Sequence, residues 1–214
     1  MKRLLPITFA MASAVTAPVT FAAEEASPIS ANVALSSNYI WRGQTQTLDE
    51  PALSGGFDYA HQSGLYLGVW GSNVDFGTDD NMELDYYGGY TGEAGKVGYD
   101  VGYISYTYPG GSGDFEEWYL GLSTSAGVVD LGLTYSFGVD AANDNIELSA
   151  GTDLGGIDAS LTLGDYDKSG QYTSVALSKE LAGVALSVAW SEYDADAGSA
   201  SDQDNVTFTI AKSF

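Results

Sequence analysis

The 214-residue sequence has no cysteine, a single histidine, and 7 basic residues against 29 acidic ones. Each shortage excludes a class of function. Without cysteine there is no disulfide framework, no thiolate nucleophile and no cysteine-bound metal, so stability must come from the fold itself. A formal charge of −22 excludes nucleic acid as a partner, because binding a polyphosphate needs basic patches that this chain cannot assemble. One histidine leaves little scope for the paired nucleophile and base of a hydrolase. Long apolar runs are missing as well: beyond the N-terminus, no stretch of about 20 apolar residues could cross a membrane as a helix.

The N-terminus does carry one apolar run, over residues 4–21, preceded by Lys2 and Arg3. Thr20-Phe21-Ala22 supplies small residues at the two positions a signal peptidase reads, which predicts an export leader over residues 1–22 with cleavage after Ala22. Pro6 and Pro18, and the lack of a charged stop, argue against a membrane anchor. A short periplasmic segment, residues 23–28, is expected to lead into the folded part, residues 29–214. Losing Lys2 and Arg3 makes the remaining chain still more acidic.

What the sequence has in quantity is glycine (27) and tyrosine (15), which suits strands, tight turns and aromatic girdles. From Ile29 onward apolar and polar residues alternate, the two-residue period of a strand with unlike faces. Ile29, Ala31, Val33, Leu35, Tyr39 and Trp41 share one side, while Ser30, Asn32, Ser36, Asn38 and Arg42 share the other. The contrast recurs. Met82, Leu84, Tyr86 and Tyr90 oppose Glu83, Asp85 and Tyr87, and Val129, Leu131, Leu133, Tyr135 and Phe137 oppose Asp130, Thr134 and Ser136. The charged side chains avoid the apolar face.

Connections between these segments alternate in length. Short ones fall at residues 62–64, 92–95, 124–127, 153–156 and 180–183, each rich in turn formers. Longer ones fall near 43–50, 74–80, 109–113, 138–144, 165–171 and 194–204. This rhythm predicts an all-β fold, a transmembrane up-and-down antiparallel β-barrel of about 12 strands, with its short turns toward the periplasm. A soluble sandwich also has one apolar face, but it does not require alternating loop lengths or aromatic residues near strand ends such as Tyr39, Trp41, Tyr90, Trp118, Phe137 and Trp190. The last segment adds Val206, Phe208, Ile210 and a terminal Phe214, the pattern of a final barrel strand offered to the outer-membrane assembly machinery; Lys212 interrupts it and is expected to snorkel to the interface.

Several local motifs point to a family. Asn38-Tyr39-Ile40-Trp41-Arg42-Gly43, then Pro51-Ala52-Leu53, Gly55-Gly56-Phe57-Asp58-Tyr59 and Ser72-Asn73-Val74-Asp75, resemble the N-terminal signature of the TorF family, porin-like proteobacterial proteins of unknown function. Ser54 stands where the family pattern has glutamine. The resemblance implies an outer-membrane barrel with a pore and brings no substrate, cofactor or catalytic residue with it.

A barrel of this size lies between small ones filled by side chains and wide aqueous porins, so a narrow pore is expected. Parity turns Asp58, Glu83, Asp85, Asp100, Glu117, Asp130, Glu147 and Asp158 inward, with Arg42 as the inward base at the outer end of the first strand. An acidic lumen favours cations over anions, which predicts a passive channel for small cationic or neutral solutes. The alternative is a closed structural barrel whose acidic outer loops bind divalent cations or partners. The nearest match to a calcium loop begins at Asp165 and Asp167, but Ala176 stands where the closing glutamate belongs, so a helix–loop–helix site is rejected. His61 falls by parity on the lipid side near the periplasmic rim, and Glu83 and Asp85 have no visible acid–base partner. No enzyme activity is expected.

Overall fold

A computed structural model describes residues 28–111, 113–140 and 142–214. The predicted leader with its Ala22 cleavage site, and residues 23–27, lie outside the described residues. The strands in chain order are β1 (Ile29–Ser36), β2 (Ile40–Trp41), β3 (Gln44–Thr45), β4 (Ala52–Ala60), β5 (Leu65–Asn73), β6 (Met82–Ala94), β7 (Val97–Thr107), β8 (Phe115–Ala126), β9 (Val129–Gly138), β10 (Asn145–Asp153), β11 (Asp158–Tyr166), β12 (Gly170–Leu181), β13 (Val184–Ala195) and β14 (Gln203–Ser213). All but β2 and β3 form a closed barrel in which each strand pairs antiparallel with its neighbours, and β1 closes the ring against β14. Leu35 faces Leu53 on one side and Ile210 on the other. The twelve-stranded barrel expected from the alternation is the one observed.

The alternation sorts side chains by face. Phe57 is 63% exposed on the outside, whereas Glu83 and Glu117 are 2% and 0% exposed on the inside. A water-soluble sandwich would bury the phenylalanine and solvate the glutamates, so these numbers reject that alternative. Outward aromatic rings pair across strands, as in Tyr103 with Trp118 at 5.0 Å between centroids and Tyr90 with Tyr99 at 6.2 Å. Such pairs contribute about 0.2–1 kcal/mol each relative to alanines.

Three of the five connections on one side of the barrel are tighter than the sequence suggests. Ladder pairing runs on until only residues 95–96, 127–128 and 182–183 remain as turns. Ala182 and Gly183 both have positive φ, 53° and 76°, the primed turn whose twist matches that of the flanking strands. On the other side the connections are residues 37–51, 74–81, 108–114, 139–144, 167–169 and 196–202. The fifth is shorter than expected, because Asp165 and Gln171 pair within the ladder.

The first strand is shorter than its alternation predicts. The alternation of Ile29 to Leu35 was expected to continue through Tyr39 and Trp41 on the outer face, with Arg42 ending the strand. Instead β1 stops at Ser36, and Tyr39 is buried inside the barrel at 4% exposure. The cause is a change of partner. The Ser37 hydroxyl accepts from the Phe208 amide at 3.0 Å while the Ser37 amide donates to the Phe208 carbonyl at 2.9 Å; this ends the ladder and sends the following residues across the barrel mouth.

Candidate functional site

The segment that crosses the mouth is a miniature hairpin, β2 paired with β3, with Arg42 and Gly43 at its tip. Asn38 organises its base: its Oδ1 accepts from the Thr45 hydroxyl at 2.8 Å, and its Nδ2 donates to Asp49 Oδ1 at 2.8 Å. The Thr47 hydroxyl, fully buried, donates to the Glu50 carbonyl at 2.6 Å, and the Gln46 amide donates to the Tyr39 carbonyl at 2.7 Å. Arg42 (φ 48°) and Gly43 (φ 79°) both adopt the left-handed conformation that a two-residue hairpin turn requires. Only glycine fits the second position, since a Cβ there would lie 2.7 Å from Tyr172 Cβ and 3.0 Å from Tyr193 Cβ. The tip is therefore seated against β12 and β13.

Wall residues hold the hairpin from several directions. Arg42 forms a bidentate ion pair with Glu117 of β8, Nη1 to Oε1 at 2.7 Å and Nη2 to Oε2 at 2.8 Å. Its guanidinium lies 4.3 Å from the Trp41 ring centroid and 4.7 Å from that of Tyr166 on β11. Trp41 packs edge-on against Tyr106, Phe115 and Tyr166. Tyr39 packs against Trp70 at 5.4 Å, and its hydroxyl donates to Glu83 at 3.0 Å. On the far side the Thr45 amide donates to Gln203 Oε1 at 2.9 Å. The hairpin thus reaches β5–β8 and β11–β14. Beneath it lies a cavity of about 20 Å³ bordered by Ser36, Ser54, Ser72 and Thr209, enough for one water.

The inward carboxylates divide by partner. Glu83, Asp85, Asp100 and Glu117 are buried, and Asp58, Glu147 and Asp158 are half-buried. The hydroxyl of Tyr87 donates to Asp58 at 2.5 Å, that of Tyr66 to Asp100 at 2.7 Å and that of Tyr172 to Glu147 at 2.9 Å. Asp130 is exposed near the short-turn side, where the Ser125 hydroxyl donates to it at 2.5 Å. Asp85 is left with an unpartnered Oδ1. Arg42 lies inside the barrel as parity suggested, but on the hairpin and not on the first wall strand. The rest of the motif is spread along one structural unit: Asn38, Tyr39, Trp41, Arg42 and Gly43 build the hairpin, Pro51 ends its return, and Gly55 and Gly56 sit in β4 beside β1.

Tyrosines were the residues that sequence reasoning undervalued. Tyr66, Tyr87, Tyr106 and Tyr119 point inward from β5–β8, and the hydroxyls of Tyr66 and Tyr119 are in contact. Inward glycines on neighbouring strands make room for them: a Cβ at Gly68 would overlap the Tyr87 ring, and one at Gly102 the Tyr119 ring. Parity could have found this, since it places the glycines opposite the rings. By contrast β12–β14 and β1 turn small residues inward, among them Ser174, Ala176, Ser187, Ala189, Thr207 and Thr209.

The remaining candidates do not assemble into a reactive site. Asp165 accepts from Gln171 at 2.9 Å and Asp167 pairs with Lys168 at 2.7 Å. Among the described residues no three acidic or histidine side chains come together as metal ligands. His61 is exposed in the turn after β4, its Nδ1 2.8 Å from the Ser63 hydroxyl and 3.2 Å from the Ser63 amide, a local arrangement that closes the turn. Lys212 donates to the Gly183 carbonyl at 3.0 Å, and the Phe214 amide and carbonyl both bond to Ala31.

The chain belongs to a family of bacterial proteins of unknown function, Gcw_chp, whose model matches residues 22–214. No curated protein matches it in sequence. Among solved structures, a KdgM porin superposes with a TM-score of 0.64 at 9% identity, over 86% of this chain and 98% of that one. A NanC porin does so with a TM-score of 0.55 at 10% identity, over 86% and 97%. At these identities the likeness is one of fold.

Proposed function

We propose that this Gcw_chp-family chain is an outer-membrane porin, a narrow passive channel for small cationic or neutral solutes, with its first loop as the constriction. One observation carries the reading: the barrel is inside out, with large apolar side chains exposed around it and carboxylates and hydroxyls within. Apolar surface of that extent is costly in water and at home in a bilayer, where a closed barrel also satisfies every strand amide. The TorF resemblance of the hairpin motif points the same way. In this reading the leader exports the chain, the Phe214 strand engages the assembly machinery, and solutes pass along the small-residue wall of β12–β14 and β1.

Selectivity follows from charge. Arg42 is already held by Glu117, so the other inward carboxylates act on the lumen without a basic counterpart, and acidic walls draw cations and repel anions. In a planar bilayer with a salt gradient, potassium is expected to pass more readily than chloride, with the preference shrinking as salt shortens the Debye length. Changing Glu83, Asp85 and Asp100 together to amides should weaken the preference; a pore that prefers anions overturns this reading of the lumen. The hairpin lying across the bore favours a second reading, a closed barrel whose acidic loops bind divalent cations or partners. Replacing residues 38–50 with a short Gly-Ser linker separates the two: conductance should rise for a constricted pore, and silence before and after replacement supports the closed barrel.

A further inference from the structure

We propose that Arg42 occupies a cation-binding site belonging to the barrel wall, and that the same site takes guanidinium and other planar organic cations from solution when Arg42 is withdrawn. The site is built almost wholly without the hairpin. Glu117 of β8 is fully buried and gives both its oxygens to one guanidinium, at 2.7 and 2.8 Å. This is the two-pronged geometry that matches a planar cation to a carboxylate. Tyr166 of β11 supplies a ring 4.7 Å from the cation, within reach of a cation–π attraction that strengthens as water is excluded. Tyr106 of β7 stands beside them, its ring 5.8 Å from Trp41 and its buried hydroxyl without a hydrogen-bond partner. The loop contributes only Trp41 and the cation itself.

Withdraw the Arg42 side chain, and the wall keeps the Glu117 carboxylate with no counterion. Among the described residues the salt bridges are Arg42–Glu117 and Lys168–Asp167, and the latter lies at an exposed loop, so no other protein cation stands ready. A buried, unpaired carboxylate is strongly unfavourable, which makes a diffusible cation the natural replacement. The turn geometry agrees: Arg42 takes a left-handed φ of 48°, a conformation that disfavours residues bearing a Cβ and is offset here by what the guanidinium gains. Tethering gives Arg42 a high effective concentration, so a free cation competes only weakly with the intact hairpin.

The test is equilibrium dialysis of detergent-refolded barrels against labelled guanidinium at low, non-denaturing concentration, with methylammonium as comparator. Arg42→Ala is expected to bind guanidinium where the natural protein does not, at a concentration roughly tenfold below that needed for methylammonium, the factor one additional charge-assisted hydrogen bond supplies. The double variant Arg42→Ala with Glu117→Gln should bind neither. Absence of binding to Arg42→Ala, or equal binding by the double variant, overturns the proposal. A second arm rests on the porin reading: currents through Arg42→Ala should be blocked by guanidinium and restored when sodium replaces it. Barrels that bind guanidinium yet carry no current keep the site and reject the porin, whereas barrels that conduct without binding reject the site. If Arg42→Ala refolds poorly, guanidinium in the refolding buffer should raise the yield of heat-modifiable barrel above that with sodium at equal ionic strength; equal yields count against the site.

Discussion

The wall of this barrel is built in two ways. From β5 to β8 the inward side chains include tyrosines laid over glycines, with Ile104, Trp70 and Phe115 among them and carboxylates capped by phenol hydroxyls. From β12 to β14 and on to β1 they are chiefly serine, threonine and alanine, with Asn32, Asn205 and Gln203, and with the large Tyr172 and Tyr193 confined to the outer ends where the hairpin tip rests. The outer surfaces of the two arcs are alike. The difference teaches that the interior is a ring-filled core along one wall and is lined by small side chains along the other; in the proposed porin, stability and permeation are then assigned to different strands of one sheet.

The largest expected effect breaks that comparison from within. Tyr119 is 4% exposed and in contact with Tyr66, so Tyr119→Ala should behave as an aromatic core truncation and cost about 3–5 kcal/mol. Ser187→Ala, on the opposite arc, removes one half-buried hydroxyl and should stay within about 0.5 kcal/mol. Urea titration of the refolded barrels in lipid vesicles measures both. Similar losses at the two sites would show that the arcs are not packed differently.

The second prediction sharpens the comparison by asking where it ends. Leu122 on β8 and Leu177 on β12 both face outward, are exposed and lie at the same depth in their strands. An arginine at mid-depth on a lipid-facing surface costs about 2–4 kcal/mol whatever lies behind it. Leu122→Arg and Leu177→Arg should therefore impair insertion to a similar degree, read as the fraction of heat-modifiable barrel recovered from vesicles. A tolerated Leu177→Arg beside a failing Leu122→Arg would mean that the arcs differ outside as well as inside.

Much of this architecture was legible in the chain, because a period of two leaves only two faces and every charged residue had to choose one. Parity put Glu83, Asp85, Asp100 and Glu117 on the inner side, which is where they lie buried. It failed at Tyr39 and Trp41, where the alternation continues formally after the strand has ended. The signs were present in Ser37 and Asn38, in the glycine directly after Arg42, and in the threonines at 45 and 47, all of which suit a turn better than a wall strand. Nothing local, however, announces that Arg42 will meet Glu117, since that pair is 75 residues apart and forms only once the ring has closed. Which arc would be filled was readable in part, from tyrosines and glycines sharing the inner parity of β5–β8.

The smallest effect concerns the outer rim on β9 and β10, between the two arcs. Asp144 accepts from the Tyr135 hydroxyl at 2.7 Å and from the Gly138 amide at 3.0 Å, and these two bonds, the phenol first, hold its carboxyl below the usual aspartate range. A carboxyl whose folded pKa lies below its unfolded value binds fewer protons when folded. Its contribution is therefore complete above the unfolded value of about 3.9 and is lost as pH falls through the lower folded value. Protection of the Gly138 amide from hydrogen exchange, normalised to the intrinsic rate, should accordingly hold from pH 6 to about 4 and fall below that in the natural protein. In Asp144→Asn it should begin lower and change little over the same range, since an amide side chain does not titrate. The rim is open to solvent, so screening keeps the effect small, and the strands behind it should hold their protection throughout. Loss of protection along β9 and β10 together with the loop would mean that Asp144 anchors the junction of the arcs and not merely the loop above it.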